Sequence, residues 1–209
     1  MPPEKDLPEE FLAHLRGLEE SYLLESDPIR QSGFGGGPAR WRSEREPILE
    51  AVDSDGDLLD VGCANGYLLE CLVAWASERG LHLTPHGVDV GARLIELSRQ
   101  RLPAFATNLH VANAWNWNPP RTYRYVYTLW DCVPQAYLGR YCRRLLARAV
   151  APGGRLIVGA YGSRSRGIPP VQVGELLTSL GFGVAGGASG GEPPITRFAW
   201  IDADRHGGV

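Results

Sequence analysis

Apolar residues recur along this chain at two periods, one typical of strands and one typical of helices. Short apolar runs predict strands at 58–61, 86–90, 108–112, 123–129 and 155–161. Apolar positions three and four residues apart predict helices at 67–80, 92–102, 134–150 and 173–182. Because strands and helices alternate, the pattern predicts a parallel sheet with right-handed crossovers and helices on both faces.

The N-terminal segment departs from this alternation. Residues 8–24 place apolar side chains at helical spacing with acidic residues opposite, which predicts an amphipathic helix that needs a surface to cover. Gly33 to Gly37 then mark a loop, and a second helix is predicted at 39–52. The apolar face of the first helix consists of Phe11, Leu15, Leu18 and Tyr22.

The C-terminal segment departs from the alternation as well. Apolar stretches at 182–188 and 196–203 flank a turn rich in glycine and proline, and a predicted helix precedes them. Two strands in succession without a crossover helix predict a hairpin. One strand near the end of the chain should therefore run antiparallel to the others.

The composition is that of an ordinary globular chain. Of 209 residues, 44% are hydrophobic and 22% are charged, which excludes collagen-like, disordered and disulfide-scaffold classes. The four cysteines lack Cys-x-x-Cys spacing, so we expect reduced thiols and no metal site. The chain has no run of about 18 apolar residues, and its N-terminus lacks the basic and apolar regions of a secretory signal. We therefore expect a cytoplasmic protein with no membrane partner.

The charge is unevenly distributed along the chain. The formal net charge is −3, and residues 1–30 contain eight acidic and three basic residues, so the remainder is close to neutral. Neither part has the strongly basic character that nucleic-acid binding usually requires. The helix predicted at 134–150 carries arginines that suggest either a basic patch or a solvated helix face. They are Arg140, Arg143, Arg144 and Arg148.

The clearest chemical signal lies where the first strand turns into a helix. The segment from Asp60 to Tyr67, DVGCANGY, places glycines at this turn, where a ligand can approach the backbone and meet the free N–H groups of the helix start. Such a turn indicates a nucleotide-like ligand. A dinucleotide fingerprint would need glycine in place of Ala64 and Tyr67, and no Lys-Ser/Thr pair follows as in a Walker loop.

The spacing that remains, acidic-x-Gly-x-x-x-Gly in DVGCANG, resembles motif I of the class I S-adenosylmethionine-dependent methyltransferases. Ala64 stands where that motif commonly has its middle glycine. The later strands follow in an order similar to the family's, so the resemblance covers about residues 50–202. It implies an α/β fold: a Rossmann-like, doubly wound, seven-stranded, mostly parallel sheet with an antiparallel terminal strand, plus an N-terminal helical cap.

The same resemblance divides the chain into three parts. We expect a helical cap or lid at 1–49, a domain that binds S-adenosylmethionine at 50–204 and a flexible tail at 205–209. In the lid interpretation, the helix at 8–24 closes over the site, and Gly33 to Gly37 act as a hinge. A plain packing extension with a flexible linker is the alternative. The arginines that could meet the methionine carboxylate are Arg30, Arg40 and Arg42.

The resemblance also assigns roles to residues at strand ends. Asp89, 23 residues after Gly66, is expected to accept hydrogen bonds from both ribose hydroxyls. Asn113 takes the position that reads the adenine amino group, where the family more often has Asp. Trp115 is expected either to stack on the adenine or to fill the core. The expected cofactor-binding residues are Asp60, Gly62, Cys63, Ala64, Gly66, Asp89, Val90, Asn113, Ala114, Trp115 and Thr128.

Methyl transfer from a sulfonium mainly requires that nucleophile, methyl and sulfur are aligned in a dry pocket. A carboxylate or amine acceptor needs little more, whereas a phenol or alcohol calls for a general base. Asp131 and Tyr161 are the candidate catalytic residues by position, although Asp131 is equally placed to cap a helix. The five histidines are scattered and suggest no base partner.

Three functions remain open at this point. The short chain and its negative charge favour an S-adenosylmethionine-dependent methyltransferase with a small-molecule acceptor, acting by O-, N- or C-methylation, with specialised metabolism as one setting. An RNA or protein methyltransferase would need the arginines of 134–150 beside the pocket. A non-catalytic domain that binds the cofactor is the third. We expect S-adenosylmethionine as cofactor, no nucleic-acid partner, and a monomer or homodimer.

Overall fold

The computed structural model describes residues 7–204, in which a seven-stranded sheet lies between two layers of helices. The strand order is β3-β2-β1-β4-β5-β7-β6, and β7 runs in the opposite direction to the other six strands. The predicted Rossmann-like, doubly wound sheet with an antiparallel terminal strand is therefore confirmed. The strands are β1 Gly56–Val61, β2 Leu83–Asp89, β3 Leu109–Val111, β4 Tyr123–Leu129, β5 Val150–Tyr161, β6 Gly186–Gly190 and β7 Thr196–Asp202.

Six α-helices and four short 3₁₀ helices connect these strands within the described residues. None of the helices in residues 7–204 is long and apolar enough to cross a membrane. The α-helices are α1 Glu9–Leu23, α2 Pro38–Arg45, α3 Tyr67–Glu78, α4 Ala92–Arg101, α5 Leu138–Arg148 and α6 Val173–Ser179. The 3₁₀ helices are Arg30–Ser32, Glu46–Ala51, Pro103–Asn108 and Gln135–Tyr137.

The sheet separates two hydrophobic cores because successive strand residues point to opposite faces. Leu59 and Val158 face the core that α5 and α6 cover. Leu58 and Ile157 face the core that α3 and α4 cover. All four side chains are almost completely buried. Two buried faces explain why the central strands read as continuous apolar runs in the sequence.

Some element boundaries differ from the predicted ones. The helix predicted at 39–52 divides into α2 and the 3₁₀ helix Glu46–Ala51, because Pro47 has no backbone N–H to continue the α-helical bonding. The strand predicted at 155–161 begins earlier, at Val150, and residues 151–154 lie inside β5, next to an irregularity in its pairing with β4. The strand predicted at 182–188 begins only at Gly186, since a glycine-rich stretch has no side-chain alternation that would fix its start.

The carboxyl ends of the parallel strands meet at one edge of the sheet, which is where ligands bind in open α/β sheets. The loop after β1 and the ends of β2, β3 and β4 supply the predicted site residues. Helix α1 lies across the same edge and contacts α4. The first six residues of the predicted cap and the tail predicted at 205–209 lie outside the described residues.

Candidate functional site

The loop between β1 and α3 holds a tight left-handed conformation. Gly62 and Gly66 have φ values of 91° and 74°, which L-side chains rarely adopt. Ala64 has a φ of 45° and is the only non-glycine residue with positive φ between residues 7 and 204. Position 64 thus keeps the backbone conformation that suits glycine. The loop exposes its backbone to the space above β1 without side chains in the way.

Asp89 joins this loop to the end of β2. Its carboxylate accepts hydrogen bonds from the backbone N–H of Ala64 at 2.9 Å and of Gly91 at 2.8 Å. Burial raises the pKa of Asp89, and the nearby carboxylate of Glu19 raises it further, while the two N–H donors lower it. An acceptor of this kind, fixed at a strand end beside a glycine turn, suits a pair of vicinal hydroxyls.

A cavity of about 310 Å³ opens above these residues. Its floor and sides include six of the residues predicted to bind the cofactor: Gly62, Ala64, Asp89, Val90, Asn113 and Ala114. Its roof is α1, which contributes the apolar face of Phe11, Leu15, Leu18 and Tyr22 and, beside it, His14 and Glu19. The strand ends and the N-terminal helix therefore enclose one space.

The other predicted cofactor residues lie beneath or beside this cavity, and these are Asp60, Cys63, Gly66, Trp115 and Thr128. Trp115 is 1% exposed and packs its ring edge-on against Tyr137, so the structure places it in the core. The Thr128 hydroxyl lies 3.0 Å from the Tyr141 hydroxyl in the same core. These side chains support the floor rather than line it.

Asp60 is buried at the end of β1, directly before the glycine loop. Burial raises the pKa of its carboxyl to about 8, and the neighbouring Asp89 contributes in the same direction. A carboxyl with that pKa is largely protonated at neutral pH. A cation bound above the loop would favour the ionised form, because opposite charges stabilise each other most in a buried setting.

Asn113 stabilises the turn that follows β3. Its Oδ1 accepts a hydrogen bond from the Trp115 N–H at 3.0 Å, and its backbone carbonyl accepts one from the Trp117 N–H at 2.9 Å. An amide oxygen has two lone pairs, so Oδ1 retains one for a further donor. The neighbouring Ala114 lines the cavity and leaves space there for a flat ring.

Asn65 attaches the N-terminal segment to the glycine loop, a role that the sequence analysis missed. It is 1% exposed, and its Nδ2 donates to the Pro28 carbonyl at 3.0 Å and to Gln31 Oε1 at 3.1 Å. Its Oδ1 accepts from the Tyr67 N–H at the start of α3. In the sequence, this role was indicated only by the position of Asn65 inside DVGCANG. A second attachment is the N–H of Arg93, which donates to Glu19 at 3.0 Å.

Asp131, one of the two predicted catalytic residues, lines the cavity after β4. Burial raises the pKa of its carboxyl, and the proximity of His14 partly opposes that shift. His14 belongs to α1 and lines the same cavity. The sequence suggested no acid–base partner for any histidine. The fold brings His14 near Asp131, so His14 has one. The spacing of His14 from Phe11 and Leu18 on one helical face was the signal that could have indicated this.

Tyr161, the other predicted catalytic residue, lies in a different place. Its hydroxyl is 2.5 Å from the Tyr127 hydroxyl, and the guanidinium carbon of Arg45 lies 3.6 Å from its ring centroid. Burial raises the pKa of the Tyr161 phenol, although Arg45 opposes the shift. The raised pKa favours the neutral phenol, and the role of Tyr161 as a base stays a prediction. It lines a second cavity, of about 190 Å³, which does not include Asp131.

The arginines of the cap lie in distinct environments. Arg30 is exposed near Glu25, and Arg42 forms ion pairs with Glu46 and Glu78 on the outer surface. Arg45 is instead 5% exposed and lies close to Tyr161, Trp41 and Phe34. Of the arginines in the cap, Arg45 is therefore the one buried beside the strand ends, and the sequence analysis had not singled it out.

The arginines of α5 hold neighbouring segments. Arg144 donates to the Trp117 carbonyl at 2.8 Å, and Arg148 donates to Asn118 Oδ1 at 3.0 Å. Arg143 donates to the Leu180 carbonyl at 3.4 Å, and the guanidinium of Arg140 lies 4.4 Å from the Trp115 ring centroid. These contacts stabilise the loop after β3 and the end of α6. None of the four lines either of the two cavities described above.

No protein-family model matches the chain, and no curated protein matches its sequence. Solved structures match its fold. The N-methyltransferase NodS from Bradyrhizobium japonicum WM9, in complex with S-adenosyl-L-homocysteine, is 16% identical with a TM-score of 0.67, covering 90% of this chain and 97% of NodS. The chain has the class I methyltransferase fold.

Two further structures show how widely this methyltransferase fold is used. DhpI, solved with S-adenosylhomocysteine, is 19% identical with a TM-score of 0.60, over 94% of this chain and 96% of DhpI. The [4+2]-cyclase SpnF is 14% identical with a TM-score of 0.56, over 77% of this chain and 79% of SpnF. Because a cyclase shares the methyltransferase fold, the function of this chain has to be argued from its site.

Proposed function

We propose that this protein transfers a methyl group from S-adenosylmethionine to a small-molecule acceptor. The observation that carries the proposal is the bond between the Asp89 carboxylate and the N–H of Ala64, on the floor of a cavity at the carboxyl edge of the sheet. This bond joins Asp89, a carboxylate placed to accept hydrogen bonds from a ribose, to a glycine turn that has the spacing of motif I. The fold shared with NodS and DhpI supports the same cofactor.

The residues present fit this cofactor. Asp89 would hold the ribose hydroxyls, and Asn113 and Ala114 would contact the adenine between the ends of β2 and β3. The raised pKa of the buried Asp60 fits a cationic ligand, since a positive charge above the loop offsets the cost of ionising that carboxyl. When bound, the cofactor supplies an electrophilic methyl group.

The protein's own contribution is alignment, exclusion of water and acceptance of a proton. The apolar side chains of Phe11, Leu15 and Leu18 cover the cavity and keep it dry. An acceptor with a hydroxyl or ammonium group must lose a proton. Asp131 and His14 both line the cavity and are the groups that would take it.

Two observations favour a small acceptor over RNA or protein. Helix α1 roofs the cavity, which leaves room for a small molecule, and the arginines of α5 are engaged in contacts with the protein itself. The second candidate is a domain that binds the cofactor without methyl transfer. The likeness to SpnF, a cyclase, is the observation that supports this candidate.

Calorimetry and a turnover assay test the proposal. S-Adenosylmethionine and S-adenosylhomocysteine should bind with micromolar or lower Kd, and NAD should not bind. Release of S-adenosylhomocysteine should then be measured with a panel of small acids, phenols and amines. Binding of NAD instead would refute the proposal. Tight binding of S-adenosylmethionine with no turnover on any acceptor, including RNA and protein extracts, would favour the non-catalytic candidate.

The lid role of α1 gives a prediction with a matched pair of variants. Leu18→Ala removes part of the cavity roof and should weaken the binding of S-adenosylmethionine about tenfold, since a buried leucine side chain contributes roughly 1.5–3 kcal/mol. Leu24→Ala, at a position that is 87% exposed just after α1, should leave the Kd unchanged. Calorimetry measures both. Equal affinities in the two variants would mean that α1 is only a packing extension.

The raised pKa of Asp60 predicts that cofactor binding releases a proton. At pH 7 the carboxyl is largely protonated, because burial raises its pKa to about 8. A bound cation lowers that pKa, so the proton leaves and the affinity should increase as the pH rises towards 8. Titrations in phosphate and in Tris, which differ in ionisation enthalpy, should report this release. Asp60→Asn should abolish it, and a release that persists in the variant would contradict the assignment.

A further inference from the structure

The second cavity lies at the carboxyl end of β5, between the glycine-rich loop of the cap and the loop that follows β5. Its volume is about 190 Å³. The cap contributes Gly33 to Gly36 together with Arg40 and Arg45 of α2, and the other wall includes Tyr161 and residues 162–165. Arg40, which the sequence offered as a partner for the methionine carboxylate, lines it, whereas none of the cofactor-binding residues expected at the strand ends does.

A buried carboxylate surrounded by arginines lies in the wall of this cavity. Glu44 is 3% exposed, and its carboxylate oxygens lie 3.1 Å from Arg40, 3.4 Å from Arg164 and 3.8 Å from Arg45. Three guanidinium groups therefore share one carboxylate, so the cluster has an excess of two positive charges. Each guanidinium has five N–H donors, more than the contacts with Glu44 use.

An apolar surface adjoins this charge. Phe34 is 9% exposed, with the guanidinium carbons of Arg40 and Arg45 at 5.2 Å and 4.9 Å from its ring centroid. Tyr161 supplies a second ring beneath Arg45. A ligand with a flat apolar body and an anionic group matches both features, because the rings bury the body and the guanidinium groups bind the anion.

The two cavities are neighbours. Gly33 lines the second cavity, and Tyr22 lines the first. A Cβ added at Gly33 would lie 2.7 Å from the Tyr22 hydroxyl, so the two residues are in contact across the wall. A molecule in the second cavity would therefore lie next to the cofactor cavity at the contact between Gly33 and Tyr22.

We infer that the second cavity is the acceptor subsite and that it binds a small organic acid, whose carboxylate or phosphate group is held by Arg40, Arg45 and Arg164. This inference rests on the proposed methyltransferase function, because a molecule in this cavity is a methyl acceptor only if the protein transfers methyl groups. The binding of the anion itself does not depend on that function. The excess of positive charge excludes a cationic amine as the group that enters the cluster.

Fluorine NMR with 4-fluorobenzoate tests the binding of the anion, with 4-fluorobenzamide as the neutral counterpart. The benzoate should bind the wild-type protein at least tenfold more tightly than the amide, and inorganic phosphate should compete with it. Arg164→Gln should raise the Kd of the benzoate at least tenfold. Arg166→Gln, on the same exposed loop, should leave it unchanged, and Arg164→Lys should recover part of the loss. Arg40→Gln repeats the test from the cap side.

Calorimetry with S-adenosylmethionine on the same variants separates the two proposals. Unchanged cofactor affinity in Arg164→Gln supports an acceptor subsite. A parallel loss of cofactor and benzoate binding would overturn it, because the cluster would then hold the methionine carboxylate. Equal binding of benzoate and benzamide, or no binding of either, would also overturn it. If benzoate binding depends on Arg164 but the cofactor does not bind, the anion site stands and the methyltransferase proposal fails.

Discussion

Asp89→Asn is expected to lower the affinity for S-adenosylmethionine about 100-fold. The carboxylate at this position already accepts from the N–H groups of Ala64 and Gly91, and the proposed function adds two ribose hydroxyls. An amide keeps the side-chain shape but has only one acceptor oxygen. Hydrogen bonds to a charged group contribute about 1.5–3 kcal/mol each, and 1.4 kcal/mol corresponds to a factor of ten. Isothermal calorimetry measures the change in Kd.

The matched control for Asp89→Asn is Glu96→Gln. Glu96 lies on the exposed side of α4, where its carboxylate contacts Arg99 and Gln100. It carries the same change of charge, so it reports any effect of net charge alone. The Kd of the Glu96→Gln protein for S-adenosylmethionine should stay within a factor of two of the wild-type value. An Asp89→Asn protein that folds normally and binds within threefold of wild type would rule out the ribose role.

Gly66→Ala is expected to lower the free energy of unfolding by about 3 kcal/mol. The left-handed φ of 74° costs an alanine about 1 kcal/mol. The new Cβ would also overlap the Ser98 hydroxyl and lie 3.0 Å from the Ser98 Cβ, and overpacking of this kind costs about 1–3 kcal/mol. The corresponding fall in Tm is about 6–12 °C for a chain of this size. The overlap should push α3, which begins directly after Gly66, away from α4, which contains Ser98. The glycine loop would move with α3, so the affinity for S-adenosylmethionine should fall as well.

Gly80→Ala isolates the backbone contribution to this effect. Gly80 has nearly the same φ, 75°, but a Cβ there would meet no atom within 4 Å. Only the left-handed cost remains, so the expected loss is about 1 kcal/mol. Urea denaturation of both variants gives the difference between them. Equal losses would show that the contact between Gly66 and Ser98 is looser than described.

The prediction of β4 was confirmed because it depends on local information. The bounds predicted for β4, 123–129, are those observed, since an apolar run between two turns defines a buried strand by itself. Asp89 lies beside the glycine loop because the carboxyl ends of adjacent parallel strands meet at one edge, and its role towards a ribose stays a prediction. The start of β6 was wrong by four residues, since glycine provides no alternation.

Contacts between distant segments were not accessible in this way. Asn65 with Pro28, His14 near Asp131 and Arg45 against Tyr161 each join residues of the cap to residues of the sheet domain. The helical period of α1 showed that it needs a surface, but no period along the chain says which surface that is. The structure alone places α1 over the first cavity and α2 beside the second.

The sequence by itself determined the order of helices and strands, the mostly parallel sheet and the glycine loop with its acidic neighbours. The tertiary structure decided which predicted residues line the cavity and which support it from below. It also separated Asp131 from Tyr161 and gathered Arg40, Arg45 and Arg164 around Glu44. The physical reason is that hydrogen bonding and hydrophobic period act over a few residues, whereas a cavity and its charge depend on how distant surfaces pack together.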